Sequence, residues 1–229
     1  MSNNKRKPFI SSLLIFCPQP TSIIKSLIFL ILFSLLFNNG AFAAEGLFGR
    51  TETRYNSFNL FPKWVGALSR HKKDLSDVKL PCKSPAQTSC VFLQWHTFLD
   101  TIKGKSRLQQ VNAVNSYINK HQYINDIINW QVNDYWATPK EFIIKDGDCE
   151  DFAITKFKSL LYLGVPNNDM RIVVLQDLNL QVAHAVLAVY VEGKPYILDN
   201  QTEQVVLSTK IKHYMPIYSI NETHWWRHG

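Results

Sequence analysis

The sequence has no internal repeat, no low-complexity segment and no basic stripe interleaved with aromatic residues. The first two absences leave no sign of a repeat protein or of a compositionally biased tract. The third removes the main sequence signal for nucleic-acid binding. What remains is a chain of 229 residues with 46% hydrophobic and 19% charged residues. It is long enough for one domain with a substantial core and ordinary in composition.

No apolar run reaches the length of a typical membrane-spanning helix, but a shorter one lies near the N-terminus. Lys25 precedes this run at residues 26–37, and Ala41-Phe42-Ala43 follows it. A basic residue, an apolar segment and a small-x-small motif are typical of a secretory signal. We therefore expect residues 1–43 to be a signal peptide and residues 44–229 to be the exported domain. An uncleaved anchor is the alternative interpretation.

The basic excess of the full chain lies partly in this N-terminal segment. Residues 1–43 contain Lys5, Arg6, Lys7 and Lys25 and no acidic residue, so the net charge of +7 falls to +3 once the segment is removed. The remaining 21 basic and 18 acidic residues are nearly balanced. The expected mature chain therefore gives no electrostatic reason to bind nucleic acid.

Cysteine is scarce, with four residues in the chain. Cys17 lies in the expected signal. Cys82 and Cys90 flank a polar loop that contains Pro85, and in an exported protein a disulfide between them is the favoured interpretation. Cys149 is then left unpaired, and catalysis is one explanation for a lone thiol in an exported protein.

Cys149 stands in an acidic stretch, Lys-Asp-Gly-Asp-Cys-Glu-Asp, at residues 145–151. Apolar residues recur behind it at three- and four-residue spacing, which predicts a helix. Asp148 is suited to the N-cap of this helix, and Glu150 and Asp151 are suited to its first turn. Cys149 is therefore expected at the N-terminal tip of a helix, where backbone N–H groups favour the thiolate.

The order of the sequence patterns predicts the α+β class. Helical spacing dominates the first part of the domain, and strand-like runs follow at residues 171–175, 182–191 and 196–199. We expect a helical N-terminal half packed on an antiparallel sheet. Residues 192–195 read as the turn between the last two strands, and residues 213–229 as an aromatic, irregular end.

Two of the expected helices have recognisable start signals. Ser106 and Gln109 are spaced as in a capping box, and so are Thr138 and Glu141. Pro139 then occupies the first helical position, where a missing N–H costs nothing.

A candidate base and a candidate orienting group lie in the strand region. His184 stands between Ala183 and Ala185 in the second predicted strand, where a histidine is costly unless it has a partner or a task. Asp199 ends the third predicted strand and comes close to His184 if the two strands pair. Together with Cys149 they would form a Cys-His-Asp site of the papain-like or transglutaminase-like kind. A satisfied core histidine is the alternative.

These motifs together resemble the LapG-type bacterial transglutaminase-like cysteine proteinases. The matching segments are Tyr135-Trp136-Ala137-Thr138-Pro139, Gly147-Asp148-Cys149-Glu150-Asp151, Ala183-His184-Ala185-Val186-Leu187 and Leu198-Asp199-Asn200. The resemblance implies a papain-like/transglutaminase-like fold and a periplasmic endopeptidase with Cys149 as nucleophile, His184 as base and Asp199 as orienting group. Such enzymes cleave the N-terminal region of large surface adhesins at a paired-alanine site and so release biofilm cells. They require calcium, and an inner-membrane receptor for cyclic di-GMP holds them inactive.

The acidic residues beside Cys149 have a physical meaning of their own. Their negative charge opposes thiolate formation, and a bound Ca²⁺ ion would neutralise it. The resemblance points to Asp148 and Glu150 as calcium ligands, and Asp146 and Asp151 are further candidates. The stretch is not an EF-hand, because Asp151 occupies the position that requires glycine. A solvated acidic helix start is the alternative.

The oxyanion hole is expected to include the backbone N–H of Cys149. The indole of Trp136 is a candidate second donor, although packing is an equally good explanation for that residue. Two other functions also fit the same residues. One is a transglutaminase-like acyl transferase, in which an amine replaces water. The other is a non-catalytic, calcium-dependent binding module with an inert Cys149.

Overall fold

The computed structural model describes residues 46–76 and 88–229. Its α-helices are α1 (Pro62–Asp74), α2 (Thr88–Ile102), α3 (Arg107–Ile118), α4 (Asp126–Asn129), α5 (Pro139–Lys145) and α6 (Cys149–Tyr162). Its strands are β1 (Glu52–Tyr55), β2 (Met170–Asp177), β3 (Val182–Val191), β4 (Lys194–Leu198), β5 (Val206–Leu207), β6 (Tyr214–Ile220) and β7 (Trp225–His228). Short 3₁₀ turns lie at Leu47–Gly49, Asn167–Asp169 and Ser208–Lys210.

The strands form one antiparallel sheet in the order β1-β7-β6-β2-β3-β4-β5. With the helices preceding most of the strands, this arrangement confirms the predicted α+β class. The hairpin between β3 and β4 turns at Glu192 and Gly193, which have φ angles of 51° and 74°. Two residues in this left-handed region suit the twist of a tight hairpin. Asp199 directly follows β4 rather than ending it.

The C-terminal segment corrects one expectation, because residues 213–229 form two strands instead of an irregular end. β6 has Pro216 within it, and proline in a run argues against a strand at the level of sequence. The structure accommodates it at a bulge, where Val174 pairs with Tyr218 and Leu175 pairs with Pro216. β7 then pairs with both β6 and β1.

Both predicted capping boxes are present. Gln109 Oε1 accepts a hydrogen bond from the Ser106 backbone N–H at 3.1 Å at the start of α3. At the start of α5, the Thr138 N–H donates to Glu141 Oε2 at 2.7 Å, and the Glu141 N–H donates to Thr138 Oγ1 at 3.2 Å. These contacts fix where α3 and α5 begin, and α5 leads directly into the acidic stretch.

Helix α6 lies in the middle of the core. Every residue from Asp151 to Leu160 is buried, because the helix packs against β3 and β2 on one side and against α3 and α5 on the other. The Trp95 indole N–H of α2 also donates to Ser159 Oγ at 3.0 Å. A helix enclosed on all sides has little freedom to tilt. Its N-terminal residue, Cys149, is therefore held in a fixed place.

Cys90 is buried and disulfide-bonded. Cys82 lies outside the described residues, so its pairing with Cys90 stays a prediction, as does the signal peptide at residues 1–43. Within residues 46–76 and 88–229, no helix has both the length and the apolar character needed to span a bilayer.

Lys156 is an unusual member of this core. It is 0% exposed, and its Nζ has no hydrogen-bond partner. The Nζ atom lies 5.7 Å from the centre of the Phe152 ring. Burial lowers the pKa of Lys156 from its ordinary value of 10.5 to about 7, and the attraction of Asp199 only partly opposes this effect.

Replacing Lys156 with methionine should change how stability depends on pH. Because the native pKa is lowered, the unfolded wild-type chain binds more protons between about pH 7 and 10.5, so wild-type stability rises with pH in that window. Lys156→Met removes this pH-dependent contribution to the free energy of unfolding. We expect its stability advantage over the wild type to be largest near pH 7 and to shrink towards pH 10, by at most about 1.4 kcal/mol per pH unit. Urea denaturation at several pH values measures this. Exposed Lys120→Met is the control, and a pH-independent difference for Lys156→Met would contradict the prediction.

Candidate active site

Cys149 is the first residue of α6 and follows a tightly built loop. Asp146 has a φ angle of 61°, and the Ile124 N–H donates to the Gly147 carbonyl at 2.9 Å. A side chain at Gly147 would place its Cβ 2.3 Å from Asp151 Oδ2, so this position requires glycine. The packing of α6 on β3 brings the sulfur to the backbone N–H of Ala185, which favours the thiolate.

His184 and Asp199 are both buried and lie against each other. His184 Nε2 is 2.9 Å from Asp199 Oδ1. Asp199 Oδ1 also accepts a hydrogen bond from the Gln201 N–H at 2.9 Å, and Oδ2 accepts one from the Tyr214 hydroxyl at 2.5 Å. Burial opposes ionisation of Asp199, but the hydrogen bonds and the charge of His184 outweigh it and lower its pKa. Asp199 is therefore a well-held carboxylate.

Cys149 and His184 line one cavity of about 310 Å³. Asp199 lies behind His184 and makes the hydrogen bond already described. Trp136 is part of the cavity wall and packs edge-on against Trp64, with ring centres 6.0 Å apart. The other residues that line this cavity are Tyr123, Asn133, Asp134, Asp148, Glu150, Val174, Ala183, Ala185 and Tyr218.

An acidic cluster lies beside the sulfur. Asp126, Asp148 and Glu150 each offer one carboxylate oxygen, and these three oxygens lie within 4.8 Å of one another. Asp148 occupies the N-cap position of α6 but makes no capping hydrogen bond. Asp126 Oδ1 and Asp148 Oδ1 are buried without a partner. Hard oxygen ligands gathered in this way, with unsatisfied lone pairs, fit a Ca²⁺ ion.

The pKa values of these acids reflect their crowding. Burial and the charge of Asp148 raise the pKa of Glu150 to about 9. Burial also raises the pKa of Asp126 to about 6, against a hydrogen bond from the Tyr135 N–H. Without a cation, the cluster therefore resists carrying its full negative charge.

Two of the acids named from the sequence lie outside this cluster. Asp146 Oδ1 is 2.7 Å from His121 Nδ1. Asp151 is buried and accepts a hydrogen bond from the Ala137 N–H at 2.7 Å. The third member of the cluster, Asp126, was missed by the sequence analysis. It begins the short helix α4, and no local motif links it to Cys149.

The same surroundings act on the thiol. The Cys149 thiol donates to Glu150 Oε2 at 3.3 Å. Burial raises the pKa of Cys149 well above its ordinary value, and the charges of Glu150 and Asp148 raise it further. The helix N-terminus favours the thiolate by about 0.3–1 kcal/mol, and burial and the nearby charges outweigh this effect. Neutralising the acidic cluster would therefore remove one of the two effects that oppose the thiolate.

Two asparagines at the C-terminal end of α3, Asn115 in its last turn and Asn119 at its C-cap, hold the loop that carries Asp199. Asn119 Nδ2 donates to the Asp199 carbonyl at 2.8 Å and to the Thr202 carbonyl at 3.0 Å. Asn115, one helical turn earlier, donates to the carbonyls of Thr202 and Glu203 at 3.3 and 3.1 Å. We call these two side chains the amide clamp. Through it, the helical half of the domain fixes the main chain at Asp199.

Comparison with known proteins identifies the family. The model of the family described as "Bacterial transglutaminase-like cysteine proteinase BTLCP" matches residues 82–228. The chain therefore belongs to the bacterial transglutaminase-like cysteine proteinases, a family whose fold agrees with the α+β architecture found here.

Solved structures match the chain as well, and they indicate one type of protein within this family. Legionella pneumophila LapG is 33% identical, with a TM-score of 0.57, and the match covers 70% of this chain and 87% of that one. The calcium-bound form of that protein matches equally well, and its EGTA-treated form matches over 84% of its length. The chain is thus a LapG-type cysteine proteinase in sequence and fold. No curated protein matches it.

Removing Asn119 from the amide clamp should destabilise the protein more than removing an exposed asparagine within α3. Asn119→Ala loses two hydrogen bonds to the Asp199 loop and takes the side-chain donor from the Asp199 carbonyl. We therefore expect a loss of about 1–3 kcal/mol in the free energy of unfolding. Asn112→Ala is the matched control, because Asn112 is exposed and bonds only within α3, to the Leu108 carbonyl. Its effect should stay within about 0.5 kcal/mol. Equal losses for the two variants, measured by urea denaturation, would contradict a role for the clamp.

Proposed function

We propose that this protein is a calcium-dependent periplasmic cysteine endopeptidase that uses Cys149 as nucleophile, His184 as base and Asp199 as orienting group. Membership of the cysteine proteinase family supports the reaction class. The observation that carries the residue assignment is geometric: Cys149 and His184 line one cavity, and Asp199 Oδ1 lies 2.9 Å from His184 Nε2.

In the proposed reaction, His184 moves the proton of Cys149. Because Nε2 faces Asp199, the other ring nitrogen, Nδ1, takes the thiol proton. The thiolate attacks the carbonyl carbon of the scissile peptide bond, and the backbone N–H of Cys149 stabilises the oxyanion. The C–N bond then breaks, and the leaving amine takes the proton from His184. Water, deprotonated by His184, hydrolyses the thioester, releases a carboxylic acid product and restores the thiol.

Asp199 acts through His184 in this scheme. Its carboxylate fixes the orientation of the imidazole ring and stabilises the imidazolium that forms during attack. The hydrogen bond and the charge of His184 have the largest effect in favour of the ionised carboxylate, and the hydrogen bonds from Gln201 and Tyr214 add to it. Tyr214 is thus a further positioning residue, which no sequence motif indicated.

We assign the calcium site to Asp126, Asp148 and Glu150. The support is the 4.8 Å spacing of their oxygens together with the unpartnered Oδ1 atoms of Asp126 and Asp148. Bound calcium would supply positive charge that offsets these carboxylates. In that state, the carboxylates no longer oppose the ionisation of Cys149.

The biological role follows from the family resemblance. We propose that the substrate is the N-terminal region of a large surface adhesin, cut at a paired-alanine site, and that the cut releases biofilm cells. An inner-membrane receptor for cyclic di-GMP would act as the inhibitory partner. Periplasmic location agrees with the signal-like residues 1–43 and with the disulfide bond of Cys90, since disulfides persist in oxidising compartments.

Replacing the proposed nucleophile should abolish cleavage without unfolding the protein. We expect Cys149→Ala to lower kcat by about 10³-fold or more, because the covalent pathway is lost. His184→Ala should be similarly inactive, and Asp199→Asn should be impaired through poor orientation of the imidazole. The assay is gel analysis of the N-terminal adhesin segment from the same cell, with circular dichroism to check folding. Near-wild-type cleavage by Cys149→Ala would refute the assignment, and a cross-linked product in place of two fragments would indicate acyl transfer.

Calcium removal should inhibit cleavage, and added Ca²⁺ should restore it, whereas Mg²⁺ should substitute poorly because it requires a smaller octahedral shell. Glu150→Ala and Asp126→Asn should each weaken Ca²⁺ binding by at least about tenfold, or about 1.4 kcal/mol. Asp146→Asn is the matched control, because Asp146 lies near the cluster but faces His121, and its calcium response should be retained. Titration calorimetry and EGTA-treated cleavage assays measure these effects. Full activity of the wild type in EGTA would refute the calcium requirement.

A further inference from the structure

A second cavity opens beside the one that contains Cys149. Its volume is about 320 Å³, large enough for one bulky side chain. We call it the side pocket, and its apolar walls are Leu60, Phe61, Pro62, Trp64, Trp136 and Tyr218. Apart from the hydroxyl of Tyr218 and the indole nitrogens, these side chains are hydrocarbon. The pocket therefore suits an apolar or aromatic group.

The side pocket is adjacent to the active-site cavity. Asp134, Trp136 and Tyr218 line both spaces. Two cavities that share three wall residues are direct neighbours. A polypeptide whose scissile bond lies at Cys149 can therefore reach the side pocket within a few residues, since an extended chain advances about 3.3 Å per residue.

The walls of the side pocket are held in place by the rest of the fold. Trp64 is buried, and its indole N–H donates to the Asn221 carbonyl at 3.0 Å. The Phe61 ring packs against Tyr218 and Trp225, with ring centres 5.0 and 5.1 Å apart. A pocket that is already formed loses little conformational freedom when a ligand enters it.

The rim of the pocket differs from its walls. Lys63 and Asp134 form an ion pair there, and both side chains are about half exposed. Leu60 is 73% exposed, which leaves an apolar side chain in water at the mouth. Filling the pocket with an apolar side chain would remove part of this surface from water. Charged groups at the rim would stay solvated.

We propose that the side pocket is a substrate subsite that receives one large apolar or aromatic side chain a few residues from the scissile bond. The proposal rests on the proposed endopeptidase function and adds a specificity determinant to it. The cleavage segment would then need two features: a scissile bond at Cys149 and a bulky apolar residue at one fixed distance from it. Discrimination by an apolar pocket between a large and a small side chain is about 10- to 200-fold in kcat/KM.

The test uses the exported domain with Ca²⁺ and peptides that span the cleavage segment. One position at a time carries Ala, Leu, Phe or Asp, and kcat/KM is measured for each peptide. We expect one position near the scissile bond where Leu or Phe exceeds Ala by about tenfold or more, with Asp poorest. Flat preferences at every position would overturn the subsite.

Variants then connect the preference to the pocket. Leu60→Glu should remove most of the preference for Leu and Phe while leaving kcat/KM for the Ala peptide unchanged. Phe61→Ala is a second variant, with its folding checked by thermal unfolding. Leu108→Glu is the matched control, because Leu108 is an exposed leucine of α3 that lines neither cavity. A preference that survives in both folded pocket variants would overturn the assignment.

Two further outcomes separate this proposal from others. If Leu60→Glu abolishes self-association in sedimentation but leaves all peptide preferences intact, the pocket binds a second copy of the chain, and the subsite is refuted. If no peptide is cut in a Cys149-dependent manner by the wild type, the endopeptidase function fails, and the subsite fails with it. Flat preferences with Cys149-dependent cleavage refute the subsite alone.

Discussion

The packing of α6 between the sheet and the other helices is the constraint on which the site depends. Because the residues from Asp151 to Leu160 are buried without a break, the position of the helix is set by contacts along its whole length. The N-terminus of the helix then meets β3 at Ala185, one residue from His184. Core packing thus brings Cys149 and His184 to the same cavity, and the loop before Cys149 leads the chain into that position.

The electrostatics of the site oppose the ionisation of Cys149 as long as no positive charge compensates the nearby carboxylates. A helix N-terminus favours a thiolate, but burial and the carboxylates of Asp148 and Glu150 have the larger effect on Cys149. The same carboxylates are too crowded to ionise fully, as the raised pKa of Glu150 indicates. Charge compensation at one point would therefore relieve both the acids and the thiol. This links the proposed calcium site to the reactivity of the sulfur without requiring any large movement of the chain.

The sequence allowed the α+β class, the helix at Cys149, the two capping boxes and the β3–β4 hairpin to be predicted, because each is encoded by residues close together in the chain. The contributions of Asp126 and Tyr214 could not be predicted in this way. They lie 23 residues before and 65 residues after Cys149 in the sequence, and only tertiary contacts bring them to the site. Strand β6 could not be predicted for another reason. Pro216 argues against a strand in the sequence, and the bulge that accommodates this proline depends on the partner strand.

The amide clamp makes the site a product of the whole domain. Asn119 and the carbonyl it binds at Asp199 are 80 residues apart, and Cys149 lies between them in the sequence. During synthesis, a chain that emerges from its N-terminus presents Cys149 well before Asp199, which lies against His184 in the folded domain. A partly folded molecule therefore carries a thiol without an aligned imidazole. The order of the chain thus makes the complete arrangement of Cys149, His184 and Asp199 a property of the finished domain.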